Sequence, residues 1–570
     1  MLTGSTTAVS PLRYSRPAVQ SHAMRSGWGY HLAACSLLLL IVALRVTYLC
    51  QVENISLASD EAHYWDWSRH LDWCYYSKGP LVAWLIRVSC YLWGADVMPA
   101  VRLPAVLCNA FMLLGIYLLV NRIFNNARLA FLALAVALTL PFIHVGGLLM
   151  TIDAPYACAW TWAVLVAHCI LFAPLSPGGR WVGGEGAQQP YTTQYFLWLT
   201  LGLILAIGVL AKHNMALFVP SLGLFLLLSP AHRHELLRPG FWLMALTGAV
   251  IGGGPILWWN AQHDWVTFLH VGTQATGAST ATSGIRWLGP LEFFGTQAAL
   301  LMGLWFVLMI MGFANCGARL YRAKDNTETR YNRVPQLQQQ LFLTCLALPM
   351  LLICLVFSFK VRIEPNWTVT AYITGLILAG WMLWERWTSP RWRRTTYVVM
   401  GLGVGLSLMI HFSSVLYPIH AMLMPQVSPR KWDPTCRLKG WDTLASEVNK
   451  LRQQEKVEPI LFGSTWSYTG ALAFHLHDQP TVFCLGPVTG SRYSQYDFWR
   501  PNPLHDPADY AGKDAIIVGE LSPQVREAFE KIEPTQRVQA REQGLVVAEW
   551  NVTIARKLKP TGFGLTVQKY

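Results

Sequence analysis

Apolar runs about as long as a bilayer core is thick recur through the first three quarters of the chain. A helix needs about 20 consecutive apolar residues to cross that core. The runs predict about eleven spans, over residues 30–50, 100–121, 127–146, 150–173, 194–211, 214–229, 241–259, 291–314, 338–358, 367–384 and 396–416. The run from Pro80 to Trp93 is too short to span and reads as an interfacial helix. His31 to Cys50, the first run, follows a polar stretch carrying Arg13, Arg16 and Arg25 and has no small-residue cleavage site, so it is expected to remain as a span.

Beyond residue 417 the pattern changes. Of the last 153 residues 34 are charged, against 41 in the preceding 417, which marks a water-soluble domain. It alternates helical segments (Trp441–Lys456, Trp466–His477, Ser522–Lys531) with short apolar runs (Pro459–Phe462, Thr481–Leu485, Ala515–Val518) and closes in a strand pair near Leu545–Leu558. The fold class expected is therefore a multi-spanning α-helical membrane protein with a C-terminal extracytoplasmic α/β domain. Its regions are a cytoplasmic tail over 1–29, a membrane domain over 30–416 whose first external loop is 51–99, and the soluble domain over 417–570.

Composition agrees: 53% apolar and 13% charged residues exclude an ordinary soluble or disordered chain. The net charge of +13 would by itself allow a nucleic-acid partner. With residue 1 placed inside, however, the cytoplasmic segments hold seventeen basic residues against five acids, and the rest of the membrane portion nine against ten. The excess is thus a positive-inside signal, with the N-terminus in and the C-terminus out, and nucleic acid is not an expected partner. Twelve cysteines include no CxxC pair, so no zinc ribbon is expected.

Ionisable groups near a bilayer are costly and tend to be functional. Here they gather on the external side: Ser59-Asp60-Glu61-Ala62-His63-Tyr64 with Ser68 and Lys78 in the first loop, Asp153, Lys212-His213-Asn214, His263-Asp264, and Lys360 to Trp367. On a helix capped by Ser59, residues Asp60, His63, Tyr64 and Ser68 would share a face. Such a set suggests a polar cavity open to the outside, lined by two carboxylates and several cations. His475-x-His477-Asp478 reads as polar side chains on the surface and not as metal ligands, because residues two apart on a helix diverge. A transporter or flippase is the alternative use of such charges, but internal repeats and paired broken helices are not evident.

Asp60-Glu61-Ala62 with Tyr64, the Lys78-Gly79-Pro80-Leu81 loop and Asp153 resemble the superfamily of protein O-mannosyltransferases and lipid A aminoarabinose transferases. These are membrane glycosyltransferases of the type C fold. Glu364-Pro365-Asn366-Trp367 and Ser491 to Trp499 are similar to segments of bacterial members. The resemblance implies transfer of a sugar from a polyprenyl-phosphate carrier to an acceptor on the extracytoplasmic face of the cell membrane. Asp60 would be the catalytic carboxylate, Asp153 the second acidic position, and Lys78 the contact to the carrier phosphate, with Tyr64 beside it. His63 stands where aminoarabinose transferases have arginine, and Lys212 and Arg362 are further candidates for phosphate contact. Glu61, Glu364, Asn366, Trp367, Tyr496 and Trp499 are candidates for sugar or acceptor contact. Aminoarabinose transferases place an acid before the lysine; this chain has Ser77, so no metal is predicted, and no other cofactor is expected.

Overall fold

The computed structural model describes residues 19–52, 55–172, 191–276, 284–325, 330–424 and 426–565. Arg13, Arg16, Arg180, Glu185 and Glu328, which enter the charge asymmetry, lie outside the described residues.

The chain opens with α1 (Val19–Gln51), then α2 (Ser59–Arg69), α3 (Leu81–Trp93), α4 (Met98–Phe124), α5 (Ala127–Ala137), α6 (Pro141–Gly146) and α7 (Asp153–Leu171). It continues through α8 (Tyr191–Ala211), α9 (Phe218–Leu228), α10 (Pro239–Thr247), α11 (Gly254–Gln262), α12 (Val266–Thr276), α13 (Gly289–Leu300), α14 (Leu304–Asp325), α15 (Arg330–Ser358), α16 (Val369–Trp384), α17 (Pro390–His411) and α18 (Tyr417–Leu423). Among the described residues eight helical segments are long and apolar enough to cross a membrane, and α17 with the segment after it makes a ninth if a pair bent by 90° counts as one span. One of the eight joins α10 to α11 through a π-helical turn over Gly248–Gly253.

The expected runs are helical, but the run 291–314 is interrupted after Leu300, where Met302 and Gly303 take φ 54° and 65°, so that the span is Leu304–Arg322, and two others fall short of spanning length for local reasons. The run 127–146 is cut at Leu140-Pro141, because proline starts a new helix instead of continuing one. The run 214–229 begins in a 3-10 turn over His213–Leu217, leaving 16 helical residues in Phe218–Leu228 and that turn together. The bundle interior is one large apolar cluster, with Trp160, Trp198, Phe218 and Phe225 buried.

The C-terminal region adds α19 (Trp441–Gln454), β1 (Ile460–Gly463), α20 (Trp466–His475), β2 (Phe483–Cys484), β3 (Ala515–Val518), α21 (Pro523–Glu527), β4 (Phe529–Ile532), β5 (Gln536–Glu542) and β6 (Leu545–Leu558). The sheet order is β2-β1-β3-β6-β4, with β5 also paired to β6; β2, β1 and β3 are parallel and the pairs with β6 antiparallel. Two expectations are corrected. The helix expected over Ser522–Lys531 stops at Glu527, because Phe529 to Ile532 pair with β6 and Phe529 enters the core. The strand pair expected within 545–558 is one long strand whose partner, β5, precedes it. Gln543 and Gly544, at φ 50° and 82°, make the two-residue turn that joins them.

This sheet domain docks on α2. Gly470 permits the approach of α20: a Cβ there would stand 3.0 Å from the His63 nitrogen and 3.1 Å from the Ala62 carbonyl carbon. The Ser467 hydroxyl donates to the Ser59 hydroxyl at 2.6 Å, and the Tyr76 amide donates to Gln495 at 2.7 Å.

Candidate active site

α2 starts one residue before Asp60, and its cap is not Ser59. Glu61 reaches back to accept the Ala58 amide at 2.8 Å, leaving Ser59 free to bond the sheet domain. Glu61 also accepts from Arg102 Nε at 2.9 Å, Arg102 Nη2 at 2.6 Å and the Met150 amide at 2.7 Å. It is 0% exposed and Arg102 2%. The expectation that Glu61 touches sugar or acceptor is therefore corrected: both oxygens are spent tying α2 to α4 and to the segment entering α7.

Asp60, one residue earlier, points the other way. It is exposed at the surface of the site yet hemmed in by protein, and this partial desolvation pushes its carboxyl above the usual carboxylate range despite the nearby cations Lys78 and Arg492. Tyr64, one turn on, lies within the field of Asp60, Asp153 and Arg492 and is buried, so its phenol stays protonated. Lys78 sits at the turn where the Tyr75 and Lys78 amides and carbonyls bond each other at 3.1 and 3.4 Å. Gly79 follows because a Cβ there would stand 2.2 Å from the Leu210 carbonyl at the end of α8. Burial and the neighbouring Lys212 push Lys78 down to about 8, with Asp153 pulling the other way.

Asp153 opens α7 and is held on both oxygens: Lys212 Nζ donates to Oδ1 at 2.7 Å and Asn366 Nδ2 to Oδ2 at 2.6 Å. Lys212 also lies over the Tyr156 ring at 5.4 Å. Asp60, Tyr64, Lys78, Asp153, Lys212 and Asn366 thus form one cluster at the end of the bundle where the sheet domain sits. Asp153 also lines an open apolar cavity of about 180 Å³, which runs between α4, α5, α7, α16 and α17 past Asn109, Tyr372 and Trp384.

The remaining candidates are placed as follows. His63 is fully buried, its ring stacked 5.0 Å from Tyr496 and 5.2 Å from Trp466, and burial holds it well below its ordinary value. A neutral imidazole within an aromatic stack is not a phosphate contact; the docked α20 takes its face of α2. Arg362 is exposed and pairs with Glu292 at 3.3 Å. Glu364 is exposed beside it; Trp367 is half-buried against the bundle core. Tyr496 is buried with its hydroxyl beside Asp66, and Trp499 packs on His70 at 4.3 Å, so both belong to the interface between domain and bundle. Among the described residues no group of three or more His, Cys, Asp or Glu is placed to hold a metal.

Two participants were not singled out from sequence. Arg102 would have needed its pairing with Glu61, 41 positions away, to be known. Arg492 lies within the Ser491–Trp499 stretch, but only the docked domain brings its charge into the field of Asp60.

The fold matches two solved structures of ArnT from Cupriavidus metallidurans. One, in the apo state, is 17% identical at a TM-score of 0.56, covering 91% of this chain and 98% of that one. The other, bound to undecaprenyl phosphate, is 16% identical at 0.57, covering 92% and 98%. The chain has the type C glycosyltransferase fold. Residues 77–174, which contain Lys78 and Asp153, match the family described as dolichyl-phosphate-mannose-protein mannosyltransferase. The lipid A galacturonosyltransferase RgtD of Rhizobium johnstonii is 28% identical over 375 residues, 64% of this chain and 67% of that protein. These matches show a multi-pass membrane protein of the type C fold that is similar, over residues 77–174, to the mannosyltransferase family and, over 375 residues, to RgtD.

Proposed function

We propose that this protein transfers a sugar from a polyprenyl-phosphate-linked donor to an acceptor on the extracytoplasmic face of the membrane, with Asp60 as general base. The observation that carries this is the contrast between the two carboxylates. Asp153 is locked by Lys212 and Asn366, whereas Asp60 has a raised affinity for protons and forms no ion pair among the described residues. A carboxylate that is open and eager for a proton suits the removal of one from an acceptor hydroxyl. The hydroxyl oxygen forms its bond to the anomeric carbon as the bond from that carbon to the phosphate oxygen breaks. The electron pair leaves with the polyprenyl phosphate, the proton passes to Asp60, and the anomeric configuration inverts.

Lys78 meets the carrier phosphate and stabilises the charge it gains, while the Asp153 and Lys212 pair fixes the second wall of the site. The apolar cavity beside Asp153 takes the isoprenoid chain. ArnT, with undecaprenyl phosphate bound in one of its structures, and RgtD, a lipid A galacturonosyltransferase by name, support a lipid-phosphate donor and an envelope glycolipid acceptor. The N-terminus then lies in the cytoplasm and residues 417–570 outside, a reading supported by the distribution of basic segments.

Asp60→Asn is the test. In the purified protein in lipid, supplied with labelled polyprenyl-phosphate sugars, it should abolish release of polyprenyl phosphate while leaving melting temperature and insertion unchanged. Full activity in that variant refutes the assignment.

A further inference from the structure

The soluble domain does more than cover the membrane site. Its three parallel strands, β2, β1 and β3, run so that their C-terminal ends bear the Trp466 and Ser491–Trp499 segments, and these are the segments that meet α2 and the Lys78 turn. In open parallel sheets the crevice at the strand C-termini is where ligands are bound. From the loop after β2, Arg492 projects over the Trp466 ring at 4.9 Å and donates to His270 Nε2 of α12 at 3.1 Å. His270 is held neutral, pushed down to about 4 by burial and by Arg492 and Lys78, so its free nitrogen can accept that bond. Trp466 in turn stands 5.2 Å from the His63 ring on α2. The guanidinium is thus braced by an aromatic face and an imidazole, is exposed, and pairs with no carboxylate among the described residues.

We infer that Arg492, supplied by the C-terminal domain, binds an anionic oxygen group of the donor and so completes the site in the membrane domain. This rests on the transfer reaction proposed above. Charge balance supports it. Lys212 and Asp153 neutralise each other, which leaves Lys78 and Arg492 as the cations in whose field Asp60 lies, one in excess. A sugar phosphodiester carries one negative charge, and the phosphate monoester it becomes carries nearly two, so the leaving group calls for a second cation as the bond breaks. A carboxylate on the transferred sugar would present the same chemistry. A forked guanidinium suits either, binding two oxygens at once.

The experiment uses the full-length protein in nanodiscs, with undecaprenyl phosphate as binding probe and undecaprenyl-phosphate hexose and uronate as donors. Because Arg492 is exposed, Arg492→Gln should keep the melting temperature of the unsubstituted protein. Weakening of undecaprenyl phosphate binding by about tenfold or more assigns the phosphate, since a bond to a charged group is worth roughly that factor. Unchanged probe binding with KM raised about tenfold for the uronate donor alone assigns the sugar carboxylate. Arg492→Lys should recover part of either loss, keeping the charge without the fork. Equal probe binding and equal KM for both donors in Arg492→Gln overturn the inference. Failure of the unsubstituted protein to bind undecaprenyl phosphate would instead sink the reaction on which it rests, and the inference with it.

Discussion

The most exacting consequence of the site's construction concerns Glu61, the neighbour of the proposed base. Its carboxylate receives four hydrogen bonds, two from Arg102 at 2.9 and 2.6 Å and two from the Met150 and Ala58 amides at 2.7 and 2.8 Å, in a place without solvent. Replacing it by Gln keeps the shape and one acceptor oxygen, but leaves the buried Arg102 charge without a counter-charge, with that oxygen and the Ser56 carbonyl at 2.9 Å as its acceptors, and turns an amide NH2 toward donors. Breaking a buried pair from one side costs about 3–5 kcal/mol, far above the ~1 kcal/mol of an exposed ion pair. Glu61→Gln should therefore lower the unfolding midpoint of the protein in lipid by several degrees and open the 55–69 segment to protease. A double variant, Glu61→Gln with Arg102→Met, should recover much of the loss by removing the orphaned charge. The assay is thermal unfolding of the detergent- or lipid-embedded protein followed by intrinsic fluorescence, with limited proteolysis of the same samples. A single variant that melts with the unsubstituted protein, or a double variant no better than the single, refutes the account of Glu61 as a structural tie. A tie also predicts that residual activity, measured well below the melting point, shows its donor KM changed by less than about twofold.

Two further outcomes follow from the same geometry. Asp60 must be ionised to accept a proton and Lys78 protonated to meet phosphate. A plot of kcat/KM against pH should therefore fall on the acid side as pH drops through the raised Asp60 value, and on the alkaline side as pH rises through about 8; a profile flat from pH 7 to 9 contradicts the role of Lys78. His63→Phe should leave donor KM within about twofold and stability equal or higher, because it removes a buried ring nitrogen that lacks a partner; a tenfold rise in KM would restore His63 to the phosphate.

The parts of this protein that were legible in the sequence are those fixed by local pattern. Long apolar runs become helices because every backbone polar group must be satisfied within the segment, so α4, α7, α8 and α16 fall where hydropathy puts them. What hydropathy lacks is the break: Pro141, the 3-10 turn at His213 and the 90° bend after His411 decide whether a run crosses in one piece. In the soluble domain α19, α20, β1 and β3 carry enough pattern to be read. The Phe529 strand does not, since Arg526 to Lys531 also fits a helix and only pairing with β6 decides against it.

For the site the dividing line is α2 itself. An 11-residue helix has faces, and sequence spacing put Asp60, His63 and Tyr64 on one of them. Spacing of three and four leaves an arc of about 100° between the extremes of that face, wide enough for two neighbours. The membrane bundle takes the Asp60 and Tyr64 side, where Lys78 lies in reach, and α20 takes the His63 side, pressed home through Gly470. The imidazole is driven neutral by the same docking that brings the Arg492 charge into the field of Asp60. The position of the relatives' arginine, His63 here, thus carries no charge, and another cation, from a domain more than 400 residues away in the chain, stands in the same field. Charge at this site is consequently a property of the docked assembly. A substitution that loosens α20 from α2 should change the pH response of the reaction before it changes the membrane fold.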